Sequence, residues 1–425
     1  MTLIKTSLLS SIAVFIRLLT LLGINKILAI YIGPSGYAAL GQFQNVIQMV
    51  TTFAGGAIST GVTKYTAEYQ GDELQQQLVW RTAGRIALVG SLFFSILILI
   101  YSEQLAVWLL KENKYEGVFN WFSVTLIFFT FNTLLLAILN GKKEVKYYVI
   151  ANIAGSLFAF IITVILSILF GLYGALVALA VYQSLSFFIT LLLCYKRSWF
   201  QAVQFFGHID KKVAFNLGKF ASMALTSALC LPISYMIVRN HLGDSLGWEN
   251  AGYWEAMTRL SGAYLMLVTS TLSVYYLPRL SELTKPSEIK KEIIQGYKII
   301  LPIAGICSLV IYALRDFIIT VLFSSEFLPM SSLFAWQVVG DSLKIGGWIL
   351  AYLLLGQGMA KAYIVIEITF SISFILLAIL LTNLVGFEGV SIAHMINYLF
   401  YWLVLITYLT WFYRIKQNLN SHIKV

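Results

Sequence analysis

The sequence predicts an all-α integral membrane protein with twelve transmembrane helices. Of its 425 residues, 59% are hydrophobic and only 11% are charged, whereas about a quarter of the residues in an ordinary soluble domain are charged. A helix that crosses the hydrocarbon core of a bilayer needs about 20 mostly apolar residues. Twelve separate apolar stretches of this kind lie along the chain, and a soluble globular protein is therefore excluded.

The twelve stretches follow one another with short connections. Several exceed the thickness of a bilayer, so these helices must tilt, kink or protrude. The longest connection, residues 195–216, has some 22 residues and is too short for a further domain. The predicted spans are residues 6–32, 36–66, 82–110, 118–140, 148–170, 174–194, 217–240, 250–279, 294–325, 331–355, 363–383 and 389–413.

The net charge of +10 results from 29 Lys and Arg against 19 Asp and Glu. In a membrane protein such an excess indicates cytoplasmic loops rich in Lys and Arg, rather than a nucleic-acid partner. If both termini are cytoplasmic, the segments on that side hold 17 basic residues, and the opposite loops hold two, Lys111 and Lys114. This bias predicts cytoplasmic termini.

Several function classes lack their sequence motifs. The three cysteines, Cys194, Cys230 and Cys307, show no CxxC spacing, so neither a disulfide framework nor a zinc site is indicated. The GxxxxGK[ST] loop that would hold ATP is also absent from the sequence. Primary ATP-driven pumping by this chain alone is excluded, and no cofactor or metal is predicted.

An internal repeat with one constant offset relates the two halves; the alternative is chance similarity among apolar helices. Each half holds six spans, an even number, so both halves enter the membrane in the same orientation. We therefore predict two six-helix lobes, residues 1–200 and 217–425, joined by a cytoplasmic linker, residues 201–216. A pseudo-two-fold axis should relate the two lobes, which should enclose a central cavity. The matching residues are Phe119, Trp121, Gly141, Lys146, Tyr148, Leu169, Gly171 and Gly174, paired in this order with Phe334, Trp336, Gly356, Lys361, Tyr363, Leu384, Gly386 and Gly389.

Ten basic residues lie within the predicted spans. A charge at the centre of a bilayer costs about 2.5 to 3.5 kcal/mol, so such side chains should face water, a partner or the protein interior. Those near span ends can extend to the interface. The candidates for a buried cationic surface that would bind a diphosphate are Arg17, Lys26, Arg239, Arg259 and Lys344.

Acidic residues at depth are fewer. Glu255 and Arg259 are four residues apart and Asp341 and Lys344 three apart, so each pair can meet on one helix face. The alternative to a functional role is that each pair only neutralises itself. Glu367 has no partner at helical spacing, and an isolated anion at depth tends to take up a proton, which makes it a candidate coupling-ion site.

Polar side chains also recur at helical spacing. Gln42, Asn45 and Gln48 form a stripe in the second span, and His394 and Asn397 lie three apart in the last span. These groups could hydrogen-bond sugar hydroxyls; the alternative is that they join helices to one another. The unmatched basic residues favour an anionic ligand, for which arginine offers a planar fork that binds two phosphate oxygens.

Four segments carry a family resemblance. They resemble segments of Wzx-type flippases for O-antigen and enterobacterial common antigen units. The four segments are IGPSGYAALGQFQN (32–45), GGAISTGVTKYTAEY (55–69), YYLPRLSELT (275–284) and FAWQVVGDSLK (334–344). These flippases belong to the multidrug/oligosaccharidyl-lipid/polysaccharide exporter superfamily. The resemblance implies twelve helices in two lobes around a V-shaped cavity. It also implies transfer of an undecaprenyl-diphosphate-linked oligosaccharide from the cytoplasmic to the periplasmic leaflet of the bacterial inner membrane.

The resemblance further implies a cationic cavity, and the residues that would supply it are Arg17, Arg239, Arg259 and Lys344. It also implies transport by alternating access. Expected partners are the polymerase and the chain-length regulator of the same glycan pathway. One alternative is a multidrug exporter, which would need an acidic or aromatic pocket for cationic drugs. Another is an O-antigen polymerase or ligase, which would favour a large periplasmic loop with catalytic residues. The sequence contains no such loop, so the flippase is preferred.

Overall fold

The computed structural model describes residues 3–201, 205, 207, 209–283 and 285–422, and these are helical almost throughout. A π-helical segment, Leu272–Tyr276, links α8 to α9. The α-helices are α1 (Leu3–Ala54), α2 (Ser59–Glu68), α3 (Glu73–Ile100), α4 (Ser102–Leu110), α5 (Glu116–Gly141), α6 (Val145–Tyr195), α7 (Lys211–Leu246), α8 (Trp248–Thr271), α9 (Leu277–Glu282), α10 (Pro286–Ala313), α11 (Arg315–Leu322), α12 (Phe334–Gly356), α13 (Ala360–Val385) and α14 (Gly389–His422).

The helices account for the twelve predicted spans. Of the residues that the structure describes, eight helical stretches are long and apolar enough to cross a membrane. Two of them, α1 and α6, each bend sharply in the middle and contain two spans. Together with α7 and α8 they make up twelve crossings, which agrees with the predicted all-α membrane fold.

The bend in α1 follows directly from the sequence Gly33-Pro34. Proline disfavours the helical region for the residue before it, and Gly33 adopts φ 64° and ψ −176°, a conformation that glycine reaches without steric cost. The helix restarts at the proline, whose missing N–H is not needed in a first turn. This bend separates the first two predicted spans where the sequence placed the boundary.

Helix α3 begins earlier than the third predicted span, at Glu73 rather than at residue 82. The additional residues are mostly polar and extend the helix beyond its apolar part. Asp72 caps this extension, since its carboxylate accepts a hydrogen bond of 3.1 Å from the backbone N–H of Gln75. Hydropathy locates the part of a helix inside the bilayer, whereas capping decides where the helix begins.

The chain forms two compact units, Met1–Met236 and Ile237–Val425, and α7 runs across their boundary. In the first unit a core forms around Trp80, where α2, α3 and α5 pack together. In the second unit a core forms around Leu350, where α12 packs against α9, α10 and α14.

The backbone repeats at the offset that the sequence predicts. The turn after α5 contains Lys143 with φ 59°, and the turn after α12 contains Gly358 with φ 68°. In the first turn the Glu144 N–H donates to the Leu139 carbonyl, and in the second the N–H of Met359 donates to the carbonyl of Leu354. The same constant offset relates these atoms in the two units, so the repeat extends to individual hydrogen bonds.

Candidate functional site

The second unit contains a buried polar network centred on Asp341, which is 1% exposed. One carboxylate oxygen accepts from the imidazole Nε2 of His394 at 2.9 Å and from the amide of Gln337 at 3.4 Å. The other accepts from the hydroxyl of Ser261 at 2.7 Å and from that of Tyr264. Four donors on three helices therefore surround one carboxylate.

The network arises from helical spacing and one close helix approach. Gln337, Asp341 and Lys344 share a face of α12 because they are four and three residues apart. Helix α14 lies close at this point, since a Cβ on Gly340 would clash with the His394 ring and the backbone of Met395. Glycine at 340 thus allows the imidazole to reach the carboxylate.

A buried carboxylate is costly unless its oxygens are hydrogen-bonded. The donors around Asp341 meet that need, and Ser391 extends the network, because its hydroxyl donates to the side-chain oxygen of Gln337 at 3.3 Å. The network is therefore satisfied, which makes α8, α12 and α14 rigid around the site.

The ion pair predicted between Asp341 and Lys344 does not form. The carboxylate is instead bound to the donors on α8, α12 and α14, and Lys344 points its ammonium group over the rings of Trp348 and Tyr398, with the nitrogen 5.0 and 4.9 Å from the ring centres. Among the described residues no carboxylate lies within 4.0 Å of this nitrogen. The Lys344 side chain is 7% exposed, and the faces of the two aromatic rings beside it attract a cation.

A second buried cluster joins α7 and α8. Glu255 forms the predicted pair with Arg259, whose Nε lies 2.7 Å from one carboxylate oxygen. The other oxygen binds Arg239, for which the sequence offered no partner within its own span, and the Arg239 guanidinium lies 5.6 Å from the ring centre of Trp254. One carboxylate therefore binds two arginines.

Glu367 on α13 is half-buried and accepts a hydrogen bond of 3.0 Å from the hydroxyl of Tyr401 on α14.

Asn397, on the same helix as His394, is 4% exposed, and its amide oxygen has no hydrogen-bond partner in the described part of the chain. A buried polar atom without a partner costs free energy, so this oxygen is available to water or to a ligand.

The remaining predicted site residues lie on α1 in the first unit. Arg17 is exposed and Lys26 is half-buried. Gln42 is fully buried, and its amide donates to the carbonyl of Met236 at 3.3 Å. Asn45 is buried with an amide nitrogen that has no partner among the described residues, while Gln48 is exposed.

Sequence reasoning missed four donors and acceptors of the Asp341 network. Ser261 and Tyr264 lie three residues apart on α8, Gln337 lies four residues before Asp341, and Ser391 lies three before His394. This helical spacing of polar residues was the available signal, but nothing in it indicates which helices pack together.

Comparison with known proteins identifies the family. Residues 3–284 match the family described as polysaccharide biosynthesis protein. The lipid III flippases of Escherichia coli strain K12 and of Shigella flexneri are each 30% identical to this chain over 401 residues, which cover 94% of this chain and 96% of the relative. The chain belongs to the polysaccharide biosynthesis protein family. As a member of it, the chain is a multi-pass membrane transporter of the flippase type and not an enzyme, which confirms the resemblance and the transporter prediction.

Solved structures of other membrane transporters share the fold. An inward-facing multidrug resistance MATE family transporter of the MOP superfamily matches with a TM-score of 0.77 at 14% identity, covering 93% of this chain and 94% of that chain. A single-residue mutant of a Vibrio cholerae MATE transporter matches with a TM-score of 0.68 at 15% identity, covering 95% of this chain and 96% of that chain. At these identities the likeness concerns the fold, and it confirms the predicted twelve-helix class.

Proposed function

We propose that this protein moves an undecaprenyl-diphosphate-linked oligosaccharide repeat unit, of O-antigen or a related surface glycan, from the cytoplasmic to the periplasmic leaflet. It acts in the bacterial inner membrane with both termini in the cytoplasm. The observation that carries the proposal is the similarity to lipid III flippases, which extends over nearly the full length of both chains. The excess of basic residues in the loops on one side supports the orientation.

The diphosphate is held by basic side chains, with Lys344 as the main contact. Its ammonium group is buried beside two aromatic rings and lacks a carboxylate within 4.0 Å in the described part of the chain. A phosphate oxygen would provide a charge-assisted hydrogen bond, which is about twice as strong as a neutral one. Arg239 and Arg259, which share Glu255, contribute basic groups from α7 and α8, and Arg17 and Lys26 contribute further charge from α1.

The glycan is held by amide and imidazole groups, namely Gln42, Asn45, Gln48, His394 and Asn397. Asn45 and Asn397 support the assignment best. Each has a buried side-chain amide atom that forms no hydrogen bond with any residue that the structure describes. An unsatisfied buried polar group costs about 1 to 3 kcal/mol. A sugar hydroxyl both donates and accepts, and so satisfies either atom.

Transport follows alternating access, in which two six-helix lobes, residues 1–200 and 217–425 joined by the linker 201–216, rock around the bound headgroup. Exchange of a proton or a sodium ion at Asp341 or Glu367 energises the cycle. The polymerase and chain-length regulator of the same pathway receive the product.

The direct test is deletion of the gene in its host. We expect the lipid-linked oligosaccharide to accumulate on the cytoplasmic face and the surface glycan to disappear, with both defects reversed by a plasmid copy. Mass spectrometry of the accumulated lipid identifies the glycan. Normal surface glycan in the deletion strain, with no accumulated lipid, would contradict the proposed function.

A further inference from the structure

The second span of the first unit is interrupted. Helix α1 ends at Ala54 and α2 begins at Ser59, within the apolar stretch 36–66. In the interruption Gly56 adopts φ 66° and Ala57 adopts φ 51°. The left-handed region is unfavourable for a residue with a Cβ atom, so Ala57 holds an unusual conformation. Irregular backbone at membrane depth occurs where it is buried in protein or lines a water-filled cavity.

A cavity of about 260 Å³ lies at this interruption. The residues that form its walls belong to α1, α2, α3, α5 and α7 and all lie in the first unit, and none of those that the structure describes is charged. Phe129 and Leu134 form part of an apolar wall. Six hydroxyl groups line the rest, and they belong to Thr51, Thr52, Ser59, Thr60, Thr130 and Thr133.

The hydroxyls provide both kinds of hydrogen-bonding group. Thr52 and Thr133 donate to carbonyls of their own helices, at 2.7 and 3.1 Å, which leaves lone pairs on their oxygens. Ser59 and Thr60 make no side-chain hydrogen bond to a described residue, so their hydroxyls are available as donors and acceptors. A charged ligand would be desolvated here without a counter-charge, whereas a ligand rich in hydroxyl groups would be satisfied.

The size of the cavity limits the ligand. Sites for drug-sized molecules enclose about 300 to 1,000 Å³, so about 260 Å³ accommodates a single ring rather than an oligosaccharide. The polar stripe of α1 runs toward the cavity, because Gln48 and Thr52 are four residues apart and share a helix face. The Thr52 hydroxyl is bonded to the carbonyl of Gln48 at 2.7 Å.

From these observations we infer that the hydroxyl-lined cavity of the first unit binds one uncharged sugar ring of the lipid-linked glycan. This inference rests on the proposed function and adds a location and a ligand class to it. The diphosphate contacts assigned above are basic side chains, whereas this cavity is uncharged. The two parts of the substrate are thus recognised by different chemistry.

The test measures binding of two lipids to the purified full-length protein in detergent. One is the lipid-linked oligosaccharide extracted from the deletion strain, and the other is undecaprenyl diphosphate without a glycan. The double variant Thr60→Val, Thr133→Val keeps side-chain volume and removes two hydroxyls. We expect its affinity for the glycan-bearing lipid to fall about tenfold, as the loss of two neutral hydrogen bonds predicts, with unchanged affinity for the bare lipid.

The matched control is Thr125→Val, which lies on the same helix, α5, with its hydroxyl bonded to the Trp121 carbonyl and outside the cavity lining. This control and Thr133→Ser, which keeps a hydroxyl, should bind both lipids as the unmodified protein does. If the double variant unfolds at a lower temperature than the unmodified protein, the single variant Thr133→Val replaces it in the test. Its affinity for the glycan-bearing lipid should fall about threefold, with unchanged affinity for the bare lipid.

An equal loss for both lipids, or no loss for either, would overturn the inference while leaving the proposed function intact. By contrast, an unmodified protein that binds neither lipid, or binds both equally well, would count against glycan recognition by the protein as a whole. The two failures therefore differ in the behaviour of the unmodified protein.

Discussion

The two units share their turns but differ in the chemistry of their interiors. Five polar residues in or beside the Asp341 network have apolar equivalents at the repeat-related positions of the first unit. In the second unit these residues are Gln337, Asp341, Lys344, Ser391 and His394; in the first they are Phe122, Leu126, Phe129, Leu176 and Leu179. Phe122, Leu126 and Leu176 are fully buried. The repeat thus specifies the backbone, whereas the polar site is a property of one unit.

The same comparison applies to the interrupted helices. In the first unit the interruption around Ala57 opens onto a cavity lined by hydroxyls. At the position that the repeat makes equivalent to Ala57, the second unit begins its π-helical segment, Leu272–Tyr276. Both are departures from regular helix geometry, which often occur at functional sites. One scaffold therefore carries an uncharged site in one unit and a charged site in the other.

The largest effect is expected when the second unit is given the residue of the first. Asp341→Leu installs the residue found at position 126 and leaves Ser261, Tyr264 and His394 without their acceptor. Each unsatisfied buried group costs about 1 to 3 kcal/mol, so we expect export of surface glycan to fall at least about tenfold. The measurement is surface glycan in the complemented deletion strain, normalised to the amount of protein in the membrane.

A conservative substitution at the repeat-related position of the first unit is the control. Leu126→Met conserves volume in an apolar environment, costs less than about 1.5 kcal/mol, and should leave export unchanged. Full export with Asp341→Leu would show that the polar network has no function in transport.

A smaller effect should follow from removal of a single charge. Lys344→Gln eliminates the charge-assisted contact with the diphosphate, so affinity for undecaprenyl diphosphate should fall by about 10- to 100-fold. Lys344→Arg keeps the charge and should retain most of the affinity. The exposed Lys361, in the first turn of α13, provides the control variant Lys361→Gln, which should bind normally. Unaltered binding by Lys344→Gln would remove this lysine from the diphosphate site.

The smallest effect concerns the repeated turn itself. Lys143 has a left-handed conformation where the second unit has Gly358, so Lys143→Gly should relieve strain and stabilise the protein by about 0.5 to 1 kcal/mol. Gly358→Ala introduces that strain and should destabilise by about 1 kcal/mol. Thermal unfolding in detergent measures both changes.

Lys146→Gly, on an exposed turn of α6, serves as the control for the turn variants, because glycine within a helix lowers stability. If Lys143→Gly lowered the unfolding temperature as much as this control does, the two turns would not be energetically equivalent.

Local spacing explains which contacts were predictable. The Glu255–Arg259 pair was predicted because its members are four residues apart on one helix, and it forms. The predicted Asp341–Lys344 pair has comparable spacing and does not form, because donors from α8 and α14 reach the carboxylate. Spacing within a helix therefore identifies available pairs, and competition from neighbouring helices selects among them.

The sequence by itself determined the membrane class, the twelve spans, the bend at Gly33 and the repeat, because apolar length and backbone preference act over a few consecutive residues. Only the tertiary structure decided that Asp341 binds His394, 53 residues away, and that Arg239 binds Glu255, 16 residues away. Neither pair lies on one helix. Their contact depends on how closely neighbouring helices pack, and the side chains at each helix contact set that distance.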